Sequence, residues 1–258
     1  MRVAFVGKGG AGKSAISGTF ARLLARRGRP VLAIDSDPLP GMAYSLGLPH
    51  DDAPLPDEAI EDRPDDEEGP RYRLRAGLSA AEAVERYAAT APDGVRFLQF
   101  GKARTDPRAL FRSQFAFRQI LRELPVDRWD LVGDLPGGTR QPFTGWGGYA
   151  DTFLVVVEPM AKSLLSARRL ARLASSGDRP VRVVAVANKV VEPADADHIA
   201  RRTGLEVVAA VPLDPVLAAA ERAGRAPLDA APDSAGVQAV SSLVDRLERE
   251  HHRMRVTP

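Results

Sequence analysis

Two periodicities alternate along this chain. Arg2-Val3-Ala4-Phe5-Val6 is a short apolar run of the kind that forms a strand buried on both faces. Ile16, Phe20, Leu23 and Leu24 then recur on one face at helical spacing, and Arg26-Arg27-Gly28-Arg29-Pro30 stops that helix. Val31-Leu32-Ala33-Ile34 reads as a second buried strand. Ser79 to Thr90 predicts a helix with Ala81 and Val84 on one side, and Val95 to Phe100 alternates like a strand. Asp106 caps the next predicted helix, whose buried side takes Leu110, Phe111, Phe115, Ile120 and Leu121. Trp129 to Gly133 is a further strand candidate. Thr152 to Val157 is a plain buried strand, followed by a helix carrying Leu164, Leu165, Ala167, Leu170 and Leu173. Val181 to Ala187 and Val207 to Ala210 are strands, and Val237, Val240, Leu243, Val244, Leu247 and Met254 mark a final helix. Strands separated by helices predict an α/β fold, a single doubly wound, mostly parallel sheet with helices on both faces.

One stretch breaks the pattern. Residues 51 to 70 are crowded with Asp, Glu and Pro, a composition that reads as a mobile, solvated insertion within a single domain spanning 1 to 258. Metal gathering or partner docking is the alternative role for it. Hydrophobic content of 44% and charged content of 27% suit one large globular domain. No run approaches the roughly 18 apolar residues of a membrane span. The chain enters its first strand directly, without a leader pattern, so the expected location is cytoplasmic. The final helix mixes Asp245, Arg246, Glu248, Arg249 and Glu250 on its polar face, which favours core packing over membrane targeting.

Charge and cysteine usage remove several chemistries. A formal net charge of +2 is too small to argue for nucleic acid. The absence of cysteine excludes disulfides, iron–sulfur ligation and thiolate metal sites. The four histidines, at 50, 198, 251 and 252, lack metal-ligand spacing and read as solvated.

Candidate chemistry begins at Gly7-Lys8-Gly9-Gly10-Ala11-Gly12-Lys13-Ser14, which fits G-x-x-x-x-G-K-[ST]. It lies between a predicted strand and a predicted helix, where backbone N–H groups and the positive helix end cradle phosphates. Gly9, Gly10, Ala11 and Gly12 would wrap the phosphates, Lys13 would reach the β- and γ-phosphates, and the Ser14 hydroxyl would reach Mg²⁺. Only five of the 36 basic residues are lysine, so two in one loop point to a need for compact ammonium groups. Asp35 and Asp37 end the second strand, where open α/β sheets bind ligands, and either capping of the next turn or a metal-water role fits them. Asp134-Leu135-Pro136-Gly137-Gly138 closes another strand. Asp134 suits Mg²⁺ through water, and Gly137 can approach a γ-phosphate closely. Residues 139 to 149, with Gln141, Phe143 and Trp146, then read as a segment that rearranges on hydrolysis and faces a partner. Asn188 at a strand end can pair with an adenine edge. Lys189 stands beside it, and Pro212, Leu213 and Asp214 offer a second base or ribose contact.

Lys8-Gly9-Gly10-x-Gly12-Lys13-Ser14 resembles the deviant Walker A loop of the MinD/ParA, nitrogenase iron protein and ArsA families of P-loop NTPases. That resemblance implies that Lys8 reaches the nucleotide bound by a second subunit, in an ATP-dependent homodimer. Asp35-Ser36-Asp37-Pro38 is similar to the D-x-D-P switch I, which implies that Asp37 positions the attacking water. Leu39-Pro40-Gly41-Met42 departs from the polar series that often follows. The resemblance also implies base recognition by Asn188.

The resemblance extends over nearly the whole chain and is nearest to CooC-type ATPases, on Gly7–Ser14, Ile34–Pro38, Asp134-Leu135-x-x-Gly138, Val155-Val156-Val157-Glu158-Pro159 and Phe100-Gly101-Lys102. In that type a C-x-C metal loop follows the last of these stretches, whereas this chain has Ala103-Arg104-Thr105-Asp106-Pro107, so thiolate bridging of a metal is excluded. The expected function is an ATP-binding and ATP-hydrolysing switch, dependent on Mg²⁺, that dimerises around nucleotide and acts on an unidentified client protein. Lys8, Lys13, Asp37 and Asp134 are its catalytic candidates, and Ser14 and Asp134 its metal candidates. The alternative is a ParA/MinD-like positioning or regulatory ATPase that binds DNA, membrane or protein.

Overall fold

The computed structural model describes residues 1–37, 40–51, 53–102, 107–138, 145–175 and 181–256. Strand β1 (Arg2–Gly7) has its side chains divided between two apolar layers, Val3 and Phe5 in one, Ala4 and Val6 in the other. Burial on both faces is why it reads as a continuous apolar run. The chain continues through α1 (Lys13–Arg26), β2 (Val31–Asp35), α2 (Met42–Leu46), β3 (Ile60–Asp62), β4 (Tyr72–Leu74), α3 (Ala80–Tyr87), β5 (Ala89–Thr90) and β6 (Arg96–Gln99). Next come α4 (Pro107–Glu123), β7 (Asp130–Asp134), β8 (Thr152–Val157), α5 (Ala161–Ser175), β9 (Arg182–Val190), α6 (Pro193–Thr203), β10 (Val207–Pro212), α7 (Pro215–Arg222), α8 (Pro227–Ala230) and α9 (Ala235–Val256).

Eight strands form one sheet in the order β10-β9-β8-β1-β7-β2-β6-β5. Every neighbouring pair is parallel except β5 with β6. Phe20 and Leu24 of α1 pack with Val240 and Val244 of α9 on one face, while Val84, Phe117, Leu170 and Ile199 of α3, α4, α5 and α6 cover the other. This is the doubly wound, mostly parallel architecture that the periodicity predicts. Strand order reverses at β1, between β7 and β8, so the crevice at its C-terminal end is where such sheets bind ligands.

Arg22 is buried in α1 at 2% exposure and grips Asp229 of α8 through two bonds of 2.7 and 2.8 Å, while its Nε donates to Asp93 at 2.7 Å. The charge is tolerated because three hydrogen bonds replace water, and the clamp fixes α8 and the 92–94 turn to α1.

Several sequence expectations need correction. The acidic stretch is anchored rather than wholly solvated: Leu55, Ala59 and Ile60 are buried, and β3 pairs antiparallel with β4. Arg112 of α4 reaches Asp62 at 3.2 Å, so a few apolar residues and an ion pair pin the segment to α4. Phe111 and Phe115 are 59% and 37% exposed, because the inward stripe of α4 is set by Ala116, Phe117, Ile120 and Leu121. Leu165 is likewise exposed. The expected cap Asp106 lies outside the described residues. The final helix packs as expected, with Val237, Val240, Leu243, Val244 and Leu247 buried. Among the described residues no helix is long and apolar enough to cross a membrane.

Candidate functional site

Residues 7–14 turn from the end of β1 into α1. Gly12 is left-handed at φ 90°, and a Cβ there would sit 2.4 Å from the Asn188 Nδ2, so only glycine fits both the backbone and the close approach. Helix α1 starts without a side-chain cap or a carboxylate in its first turn. Its N-terminal dipole end and amides are therefore left to an anion. Gly9 and Gly10 are exposed, Ala11 and Lys13 are buried, and Lys8 and Ser14 are half-buried.

Two carboxylates stand beneath this loop, at the ends of adjacent strands β2 and β7, where Asp35 is in register with Asp134. Asp35 accepts the N–H groups of Asp37 at 2.9 Å and of Gly41 and Met42 at 3.0 Å, so it shapes the turn after β2. The Asp134 Oδ2 accepts the Ser14 hydroxyl at 2.5 Å, while its buried Oδ1 has no partner. Burial raises the pKa of Asp35 to about 6, against the lowering effect of its backbone donors. Burial and then the charge of Asp35 raise Asp134 to about 8, while Lys13 and Ser14 pull it down. Two buried carboxylates cannot both ionise cheaply without more positive charge than Lys13 supplies.

The orphaned Oδ1 beside the Ser14 hydroxyl fits a hydrated divalent cation, whose hard oxygen ligands are of this chemistry. Among the described residues no group of three or more His, Cys, Asp or Glu side chains could hold a metal ion, so a cation here needs oxygens from elsewhere as well. Gly137 brings the loop after β7 against the glycine loop, since a Cβ on it would lie 3.0 Å from the Gly9 backbone N. Asp37 is half-buried beside this cluster.

The other half of the crevice is built differently. The Asn188 Nδ2 donates to the Ala11 carbonyl at 2.7 Å, and the Lys189 Nζ donates to the Gly10 carbonyl at 3.1 Å and pairs with Glu158 at 2.7 Å. Lys189 holds a left-handed backbone, φ 57°. Asp214 caps α7 through the N–H of Val216 at 2.9 Å and receives the Gly236 N–H at 3.0 Å. Pro212 is half-buried and Leu213 is exposed, and with Asn188, Lys189 and Asp214 they line a narrow cleft of about 80 Å³ between α1, α7 and the start of α9.

The model of the CobQ/CobB/MinD/ParA nucleotide-binding domain matches residues 3–228. The chain belongs to this family. It is 28% identical over 242 residues to the carbon monoxide dehydrogenase accessory protein CooC of Rhodospirillum rubrum, covering 90% of this chain and 91% of that one. In fold it is similar to a ParA family ATPase from Chlorobium tepidum, with a TM-score of 0.74, 17% identity and coverage of 95% and 98% of the two chains. The septum site-determining protein MinD of Pyrococcus horikoshii, solved with Mg-ADP, superposes with a TM-score of 0.71 at 17% identity, with 96% of each chain covered.

Within this P-loop fold the structure brings Lys13, Ser14, Asp37, Asp134 and Gly137 together around the glycine loop, and places Asn188, Lys189, Pro212, Leu213 and Asp214 on its far side. Of the two roles open to Asp35 in the sequence, the structure shows the turn cap. Two residues escaped sequence reasoning as site-builders: Glu158 stood only as part of a family-like stretch, and Ser36 carries a buried hydroxyl without a partner. Trp146, expected to face a partner, is buried. It meets Phe100 edge-on at 5.1 Å and Phe117 at 6.1 Å, because apolar surface was available at the end of β6 and on α4. Gln141 and Phe143 lie outside the described residues.

Proposed function

We propose that this chain is an ATP-hydrolysing switch, dependent on Mg²⁺, that dimerises around nucleotide and drives a step on a client protein. One observation carries the reading: a buried carboxylate, Asp134, holds the Ser14 hydroxyl with one oxygen and leaves the other orphaned beneath an uncapped helix end. An isolated structural domain gains nothing from such a site, whereas a magnesium nucleotide would supply both the missing cation and the missing anion. The family of the chain and the Mg-ADP in the Pyrococcus MinD structure support the same ligand.

The phosphates would take the amides of Gly9, Gly10, Ala11 and Gly12, with Lys13 neutralising the β- and γ-oxygens. Ser14 and, through water, Asp134 would hold Mg²⁺, which when bound polarises the phosphoryl oxygens. Asp35 holds the turn that presents Asp37, and Asp37 orients the attacking water. Gly137, close against Gly9, would donate its amide to the γ-phosphate. Lys8 completes the charge clamp from the second subunit, so catalysis is positioning plus charge neutralisation. Asn188 turns its amide from the Ala11 carbonyl to the adenine edge, with Lys189 beside it. Pro212 and Leu213 line the base cleft, while Asp214 holds their turn in place. The accessory role named for the Rhodospirillum relative supports a protein client over DNA or lipid, and the packing of α9 into the core supports the same choice over a membrane.

The test measures ATP turnover and mass in solution for the full chain and for Lys8→Ala. Magnesium-dependent hydrolysis and an ATP-induced dimer are expected. Lys8→Ala should lose about a hundredfold in turnover, the scale for one transition-state donor. Equal turnover by Lys8→Ala together with a monomer in ATP would overturn the shared-site reading.

A further inference from the structure

We propose that the groove between the C-terminal halves of α5 and α6 docks an acidic segment of a partner protein. The groove has a volume of about 600 Å³ and is lined by Arg168, Arg172, Arg201 and Arg202 around a floor of Ala171 and Thr203. All four arginines are exposed. Among the described residues none of the four forms an ion pair. Other exposed arginines, such as Arg86, Arg222 and Arg225, are also without an ion pair among the described residues, but these four are the ones that line a common groove.

The imbalance is built into the helices. Over Ala161–Ser175, α5 carries Lys162, Arg168, Arg169 and Arg172 and no Asp or Glu. The acids of α6 sit in its first half, where Asp195 accepts the N–H groups of Val191 and Glu192. Glu206, beyond the end of α6, is held by Arg182 and Arg246. A helix dipole accounts for a cation in each last turn. It does not account for four guanidinium groups around one groove, whose mutual repulsion no ion pair among the described residues relieves.

The chemistry selects the occupant. Guanidinium forks bind carboxylates in pairs, so closely spaced Asp or Glu side chains would engage two or more of them. The lining has no aromatic ring on which a single-stranded base could stack. Both helices run back against the parallel strands, so the groove opens at the sheet edge opposite the glycine loop. A partner seated here leaves the crevice free, and docking is separable from nucleotide chemistry.

The test uses the full chain and a fluorescein-labelled glutamate peptide of about twelve residues, read by anisotropy at low salt, beside a labelled DNA duplex and vesicles containing phosphatidylserine. The wild-type chain is expected to bind the peptide. Arg172→Glu/Arg202→Glu should weaken that binding about tenfold or more, and Arg168→Ala/Arg201→Ala should weaken it less. Arg222→Glu, outside the groove, is expected to bind like the wild type. Thermal melts should show neither double variant losing stability, since each relieves repulsion. Failure of the wild type to bind the peptide, or equal binding by wild type and both double variants, would overturn the proposal. So would tighter binding of the duplex or vesicles than of the peptide through the same arginines. ATP turnover measured on the same samples distinguishes loss of docking from loss of the proposed switch.

Discussion

The two halves of the crevice are finished to different degrees. On the β7–β2 side, Asp134 and Ser36 keep buried oxygens without partners, and two carboxylates share one low-dielectric space. On the β9–β10 side, Asn188, Lys189 and Asp214 spend their polar atoms on the protein itself. Unsatisfied buried groups cost free energy, so the first half is an incomplete structure that a charged ligand would finish. The second half is complete as it stands, and a ligand entering it must exchange bonds rather than add them. Substitutions on the phosphate side should therefore act on chemistry, and those on the base side should divide between affinity and stability.

The largest separation is expected from Lys13→Ala. Removing the one buried ammonium beneath the loop should lower ATP turnover at least about a thousandfold, since phosphoryl transfer relies on such charge. Steady-state phosphate release measures this, and wild-type turnover in Lys13→Ala would break the comparison outright. On the base side, Asp214→Ala should cost about 1–2 kcal/mol of unfolding free energy through the lost cap, with a smaller loss of ATP affinity than Asn188→Ala gives. Asn188→Ala should instead weaken ATP binding several-fold and narrow the preference for ATP over GTP. Chemical denaturation and nucleotide titration of the pair would blur the division if both variants lost affinity equally.

A smaller effect comes from pH. Asp35 and Asp134 bind protons more tightly in the folded chain than in the unfolded one, where carboxylates titrate near 3.8. Their contribution to nucleotide-free stability is therefore complete below about 3.8 and declines as pH rises, until it is lost above about 6 for Asp35 and about 8 for Asp134. Asp134→Asn removes the higher of the two titrations and should flatten the dependence of Tm on pH between those limits. An unchanged slope would place the proton elsewhere.

How much of this could be read from residues alone follows a physical divide. Strand and helix identity came through because β1, β2 and β8 are buried on both faces and read as apolar runs. The glycine loop came through because left-handed backbone and close approach restrict residue choice to glycine. Long-range pairings did not. Nothing near Arg22 announces Asp229, 207 residues away, and nothing near Trp146 announces Phe100 or Phe117. Asp35 and Asp37 are two residues apart and identical in type, and only the three backbone N–H groups converging on Asp35 separate a turn-holder from a candidate for the water. The acidic stretch was misjudged for a related reason. Its average composition hid Leu55, Ala59 and Ile60, which are enough to anchor it once α4 lies alongside.

The Ser14–Asp134 pair has the features of an unfinished cation site beneath a phosphate loop. Calorimetric titration of ATP into the purified chain, with Mg²⁺ and then with a chelator, tests it most directly. Binding at least about tenfold tighter with Mg²⁺ is expected, with loss of most of that difference in Asp134→Asn. Equal affinity with and without Mg²⁺ in the wild-type chain would contradict it.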